Sequence, residues 1–302
     1  MTKATPSSPP IIDYEGSGYR TDFWEGQGRE YEDRTERIAL RRLLPAHGRR
    51  VVHLGAGFGR MTGELGGYDH IVVLDYSRTL LREAQTRLGT NSRFTYVAAD
   101  IYRLPLADGS CDAAVMERVI HHFADVPAAF KQIRAVLAPG APFVLEYASK
   151  RNLKAILRYW LRRQKWNPFD EDPVEFVELN FDFHPAYMAR CLHEAGFYTE
   201  RRLALSYFRL GLLKRTVPLS LLVALDSWLQ PTGQLAPCSP SVFTLNFATG
   251  DQPPHAIDGP LFKCLNCGGA LHQDGDTIVC EQGDGRWAIR DGIYDFKEAL
   301  PE

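Results

Sequence analysis

Over its first half the chain alternates between two hydrophobic rhythms. The short branched and aromatic runs "RVVHLG" (50–55), "HIVVLD" (70–75), "RFTYVAAD" (93–100), "CDAAVME" (111–117) and "PFVLEYA" (142–148) read as strands. Residues 35–44, 60–66, 78–88 and 127–137 read as helices set before and between them. "APG" at 138–140 stops the last of these with a proline and a glycine. Such alternation predicts an α/β fold, a mostly parallel sheet with helices on both faces.

After residue 148 the rhythm changes. Residues 150–165 read as one basic amphipathic helix ended by Pro168, and the acidic "FDEDPVEFVE" follows. "PAYMARCLHEAGF" predicts a helix closing at Gly196, and "YTERRLALSYFR" a strand. Residues 217–229 form an apolar helix shorter than the roughly 20 residues a bilayer span requires. "SVFTLNFAT" (241–249) reads as the last strand of this part, before the linker-like "GDQPPHAIDGP". The expected organisation is a disordered N-terminus (1–13), a main domain (14–250) with insertions at 150–180 and 210–240 near the active end, a linker (251–259) and a small β-rich module (260–302).

Composition adds exclusions. With 302 residues, 45% hydrophobic and 24% charged, the chain suits a globular protein with a large core. A net charge of −2 argues against a general nucleic-acid binder, so no nucleic-acid partner is expected. "MTKATPSSPP" has no apolar signal-peptide core, and Cys111, Cys191 and Cys238 are scattered singly, so the expected compartment is the cytoplasm.

The chemistry begins at "VVHLGAGFGR". Gly55, Gly57 and Gly59 directly follow the first strand, where glycines let a backbone turn tightly and approach a ligand. Arg60 replaces the third glycine of a dinucleotide fingerprint, which argues against a nicotinamide enzyme. Asp75 ends the second strand, where a carboxylate accepts both hydroxyls of a ribose. Asp100 and Ile101 end the third, an acid and an apolar side chain suited to an adenine's amine and face.

Together these residues resemble the class I S-adenosylmethionine-dependent methyltransferases over roughly 36–250. "HLGAGFGR" is similar to that family's glycine motif, "VLDYS" to its ribose-binding strand end with Tyr76 beside the acid, and "AADIYRLPLADGSCDAAVMERVIHHFAD" to its adenine loop and fourth strand. The resemblance implies a seven-stranded Rossmann-like sheet ending in a reversed strand, S-adenosylmethionine as cofactor, and direct in-line methyl transfer. It places Gly55, Gly57, Gly59, Asp75, Tyr76, Asp100, Ile101 and Glu117 around the cofactor. His53 stands where the family usually carries an acid that helps hold the cofactor's amino group.

"MERVIHH" lacks the Pro-Pro turn of enzymes acting on base or glutamine amines, which points to a small, apolar acceptor such as a quinone, lipid or secondary metabolite. His122 is the candidate base and Glu146, at the end of the fifth strand, a second candidate catalytic group. The alternatives are a methyltransferase of RNA or a translation-related protein guided by the C-terminal module, and a non-catalytic scaffold. The basic helix reads as a solvated cap or as a peripheral contact with an anionic membrane. The apolar 217–229 segment reads as pocket wall or homodimer contact.

The tail "LFKCLNCGGALHQDGDTIVCEQGDGRWAIRDGIYDF" resembles the small zinc-ribbon proteins that accompany methyltransferases. Cys264, Cys267 and Cys280 have ligand spacing, but Gly283 occupies the fourth position. The expectation is that no metal is bound and that Leu261, Phe262, Leu271, Ile278, Val279, Trp287, Ile289 and Phe296 pack on the large domain instead. If metal is bound, His272 is the expected fourth ligand.

Overall fold

A computed structural model describes residues 9–250 and 259–301. The linker expected at 251–259 and the first part of the expected disordered segment therefore fall largely outside the described residues. The first half follows the predicted alternation. A short helix α1 (Tyr19–Phe23) and α2 (Glu30–Leu43) precede β1 (Gly48–Leu54) and β2 (Tyr68–Asp75). Then come α3 (Arg78–Leu88), β3 (Phe94–Ala98), β4 (Ala113–Met116), α4 (Val126–Val136) and β5 (Pro142–Ala148). The helix expected over 60–66 is only a 3-10 turn, Thr62–Leu65. Ser77 and Asp125 cap α3 and α4, accepting the backbone N–H groups of Leu80 and Ala128.

The insertion comprises α5 (Leu153–Trp160), a hairpin of β6 (Val174–Val177) and β7 (Asn180–Asp182), and α6 (Pro185–Glu194). β8 (Phe197–Leu205), α7 (Gly211–Thr216), α8 (Leu219–Leu229) and β9 (Ser241–Ala248) complete the large part. The tail contributes β10 (Leu271–Asp274), β11 (Thr277–Cys280), β12 (Arg286–Arg290) and β13 (Ile293–Asp295).

Eleven of these strands make one sheet, in the order β10, β11, β12, β13, β3, β2, β1, β4, β5, β9, β8. The stretch from β13 to β5 is parallel, and β9 runs antiparallel between β5 and β8. The sheet is therefore larger than the seven strands expected, because the tail continues it instead of standing apart. β13 pairs with β3 in the register Ile293–Tyr96, Tyr294–Val97, Asp295–Ala98. An open parallel edge at β3 presents unpaired N–H and C=O groups, and β13 satisfies them.

The period of two along each buried strand divides the core. Val52, Leu54, Val72 and Leu74 face a cluster that includes Phe130 and Ile133 of α4 and Met188 of α6. Val51, Ile71 and Val73 face the other side, against Leu40 and Leu43 of α2 and Leu81 of α3. Ile278, Trp287 and Phe296 belong to the first cluster, with Leu261, Phe262, Leu271 and Ile289 packed against it, so the tail shares the main core.

The long basic helix is a second correction. Only Leu153–Trp160 is helical, and Arg162 adopts a positive φ of 55° that breaks the turn. Lys150 is wholly buried and hydrogen-bonds the Asp170 carboxylate and the Asp172 carbonyl, so it is no part of an exposed basic face. α8 lies against α2, where the Tyr31 hydroxyl donates to the buried Asp226 carboxylate. None of the described helices is long and apolar enough to cross a membrane.

Candidate active site

The carboxyl ends of β1, β2 and β3 open into a cavity of about 670 Å³. Gly55, Gly57, Asp75, Tyr76, Asp100 and Ile101 line it, which brings most of the predicted cofactor residues together. Ligands in open α/β sheets bind at this edge.

The loop after β1 is shaped by contacts as well as by φ. Gly55 has φ 66°, and a Cβ there would meet Val119 at 2.2 Å. Gly57 has φ 54°, and a Cβ would meet nothing closer than Tyr19 at 4.0 Å, so its open side is the cavity. Gly59 does not line the cavity; a side chain there would strike Leu88 of α3 at 2.8 Å, so this glycine serves packing.

Asp75 accepts the Gly57 N–H at 2.7 Å and the Ser77 N–H at 2.9 Å. Burial raises its pKa, and those two N–H groups oppose the rise. Each carboxylate oxygen keeps a further lone pair for a hydroxyl in the cavity. Asp100 accepts the Tyr102 N–H at 2.7 Å and leads into Ile101, whose side chain forms apolar wall. An open glycine face, a carboxylate at each of two strand ends and an adjoining apolar wall fit an adenosyl group.

Two predicted cofactor residues lie deeper. His53 is fully buried and does not reach the cavity: Nδ1 is 2.8 Å from the Thr62 hydroxyl and Nε2 is 2.7 Å from Glu117. Glu117 itself lines an adjoining pocket of about 280 Å³ that shares Gly55, Gly57, Tyr19 and Arg118 with the main cavity. His53 therefore orients Glu117 from behind. Glu146 is also buried, accepting from the Ser241 hydroxyl at 2.6 Å and the Arg118 N–H at 2.9 Å, and it lines neither space.

Arg118 was not anticipated. It sits at φ 57° in the turn after β4, and its guanidinium pairs with buried Glu36 and lies 5.4 Å from the Trp24 ring centre. Burial opposes charge on Glu36, but Arg118 and Arg60 outweigh it and hold the carboxyl below its ordinary range.

His122 lies in a 3-10 turn at the cavity wall. Its Nδ1–H donates to the Leu179 carbonyl at 3.1 Å, which leaves Nε2 to accept from the Tyr14 hydroxyl at 3.3 Å. Burial depresses its pKa, so the ring is neutral at pH 7. Tyr14, raised to about 12 chiefly by burial, belongs to an N-terminal segment that also sends Pro10, Ile11, Ile12 and Tyr19 into the cavity. The sequence gives this segment no periodic signal; its only hint is the density of tyrosine around glycine.

From the other side, Lys297 extends Nζ to 3.8 Å from the Tyr76 ring centre, a cation–π contact at the cavity wall. Asp295 holds Arg78, just after the Asp75 turn, through two bonds of 2.7 and 3.1 Å. Cys264, Cys267 and Cys280 converge with their sulfurs all within 4.8 Å of one another. His272 is exposed on β10, opposite Val279, and is not grouped with them.

The parallel sheet with a reversed strand near one edge, and a cavity at the carboxyl ends of its first strands, is the Rossmann-like architecture of methyltransferase folds. Residues 52–145 match the family model described as a methyltransferase domain. The chain is 28% identical over 149 residues to the O-methyltransferase cnsE of Penicillium expansum, covering 46% of this chain and 54% of that protein. It is 36% identical over 101 residues to a demethylmenaquinone methyltransferase of Corynebacterium kroppenstedtii, covering 33% and 42%. The chain thus spans about half the length of the curated relatives it matches. Among solved structures it resembles a chain from the complex between the Haloferax volcanii Trm112 methyltransferase activator and a putative methyltransferase. That match has a TM-score of 0.52 and 18% identity, over 75% of this chain and 95% of that one, a likeness of fold. The chain carries a methyltransferase domain whose cofactor is S-adenosylmethionine.

Proposed function

We propose that the protein transfers a methyl group from S-adenosylmethionine, by in-line displacement, to a small apolar acceptor. Residues 14–250 form the catalytic domain in this reading, and 260–302 a module that braces the cofactor loop. The observation that carries it is that one cavity is lined both by Asp75 and Asp100 and by the apolar Ile11, Ile12, Val119 and Phe123. When bound, the cofactor supplies a methyl group already activated by its sulfonium. The protein's part is alignment: Gly55 and Gly57 let the backbone close in, Asp75 takes the ribose hydroxyls, and Asp100 and Ile101 take the adenine. His122 Nε2, neutral and facing the cavity, accepts a proton from an acceptor hydroxyl when Tyr14 gives way.

A quinone, lipid or polyketide-like hydroxyl suits this wall better than RNA, and two relatives are named for O-methylation and for demethylmenaquinone. The test is transfer of a labelled methyl group into separated small-molecule, RNA and protein fractions of a cell extract. Label in the organic-soluble fraction supports this reading; label confined to RNA or protein contradicts it.

A further inference from the structure

The hairpin of β6 and β7 closes through a two-residue turn, Glu178–Leu179, since Val177 pairs with Asn180. The favoured turns of this length carry a positive φ, usually on glycine or asparagine. Here the residue is Leu179, at φ 54°. A leucine in the left-handed region is strained, and such strain persists only where the surroundings fix it. Two side-chain bonds hold this turn. The Glu175 carboxylate accepts the Leu179 N–H at 2.8 Å, and the Asn180 amide donates to the Glu178 carbonyl at 3.0 Å. The register shifts between Glu175 and Val177, a bulge of the kind that re-aims a strand's side chains. The hairpin is also anchored at its root. Phe183, directly after β7, donates its N–H to the Ala148 carbonyl at 2.9 Å, at the end of β5, and accepts the Lys150 N–H at 3.0 Å. At the other end, the Leu179 carbonyl lies 3.1 Å from Nδ1 of His122, in the 3-10 turn after β4.

We propose, on the reading of His122 as the base, that this hairpin is its positioning element. Glu175 fixes the Leu179 carbonyl, and that carbonyl holds His122 with Nδ1 protonated and Nε2 unprotonated toward the cavity. A neutral imidazole carries its proton on either nitrogen, and the partner of one nitrogen decides which. The Tyr14 hydroxyl beside Nε2 both donates and accepts, so it does not choose between the two tautomers. A backbone carbonyl only accepts, so Leu179 does choose. Neither Glu175 nor Leu179 lines the cavity, so both act through His122 and are positioning residues.

The test reads the tautomer directly, by ¹⁵N NMR of the full chain, with the His122 signals identified by their loss in His122→Gln. The wild type is expected to show Nδ1 protonated. Glu175→Ala is expected to move His122 toward a mixture of both tautomers. It is also expected to slow transfer of labelled methyl into the organic-soluble fraction of the extract about tenfold at saturating cofactor, the lower end of what removing a tautomer-fixing partner costs. Glu175→Gln keeps an accepting oxygen and is expected to restore both. Unchanged S-adenosylmethionine affinity by calorimetry shows that the variants are folded. A wild-type His122 protonated on Nε2, or a Glu175→Ala protein with an unaltered tautomer, overturns the positioning role. So does a slowing that Glu175→Gln fails to relieve. Transfer at the wild-type rate by His122→Gln overturns the base reading instead, whatever the tautomer.

Discussion

At the scale of single residues, the site depends on charges that have no solvent to lean on. Glu36 is wholly buried and pairs with Arg60 and Arg118, and Arg118 in turn shapes the turn that lines the cavity. Replacing Glu36 by Gln leaves two guanidiniums short of a partner and is expected to cost about 3–5 kcal/mol in denaturant unfolding. The same pairing sets a direction with pH. Asp33, Glu36 and Glu64 are all held below the ordinary carboxylate range by their arginines, against the opposing effect of burial. Their stabilisation is complete above the unfolded-state values near about 4 and is lost as pH falls through the depressed folded ones. These three carboxylates are expected to lower the melting temperature only below that range, while His121 and His122, whose pKa burial depresses, add a shallower decline that begins as pH falls through the ordinary histidine value near about 6.5.

His122 makes a kinetic prediction. If it is the base, His122→Gln lowers kcat by about 100-fold or more, with little change in cofactor affinity. Because its pKa is depressed, the wild-type acid limb of kcat/KM falls below about 6.5, the ordinary histidine value. A profile already falling at neutral pH would assign the limb to another group.

At the scale of elements, α5 exposes what a soluble helix normally hides. Leu153, Leu157, Trp160 and Leu161 recur at helical spacing on an exposed face, beside Lys154 and Arg158. No residue of α5 or α8 lines the cavity, so neither is its wall. A peripheral contact with anionic lipid, proposed from the sequence, now rests on these residues alone. Arg158→Glu with Trp160→Ser is expected to abolish sedimentation with anionic vesicles and to leave S-adenosylmethionine binding intact.

The same helix shows where sequence reading stops. Branched, aromatic runs located all five parallel strands of the first half, because burial on both faces leaves a continuous apolar signal. The glycine loop and Asp75 were legible for a similar reason: a strand end, a tight turn and a second strand end are all local. Lys150 was misread as surface because its partner, Asp170, lies twenty positions on in an irregular loop. His53 and Glu146 were misread because what occupies them, Glu117 and Ser241, is brought near only by strand pairing. Tyr14 gave no periodic signal, since its segment has no repeat, only tyrosines set close to glycines.

At the scale of the whole molecule, the tail completes the sheet and also reaches the cofactor side of it. β13 covers the β3 edge, Asp295 clamps Arg78, and Lys297 covers the ring of Tyr76 next to Asp75. Lys297→Ala removes a largely buried cation–π contact worth about 1–2 kcal/mol, and part of that loss is expected as weaker cofactor binding rather than only as a lower melting temperature. Cofactor binding in this reading belongs to the cavity at the carboxyl ends of β1, β2 and β3. Calorimetric titration of the full chain with S-adenosylmethionine tests it directly. The predicted result is one site per chain, weakened by about 3–6 kcal/mol in Asp75→Ala, since two charge-assisted hydrogen bonds are lost at about 1.5–3 kcal/mol each. No binding by the wild type, or equal affinity in the two proteins, contradicts it.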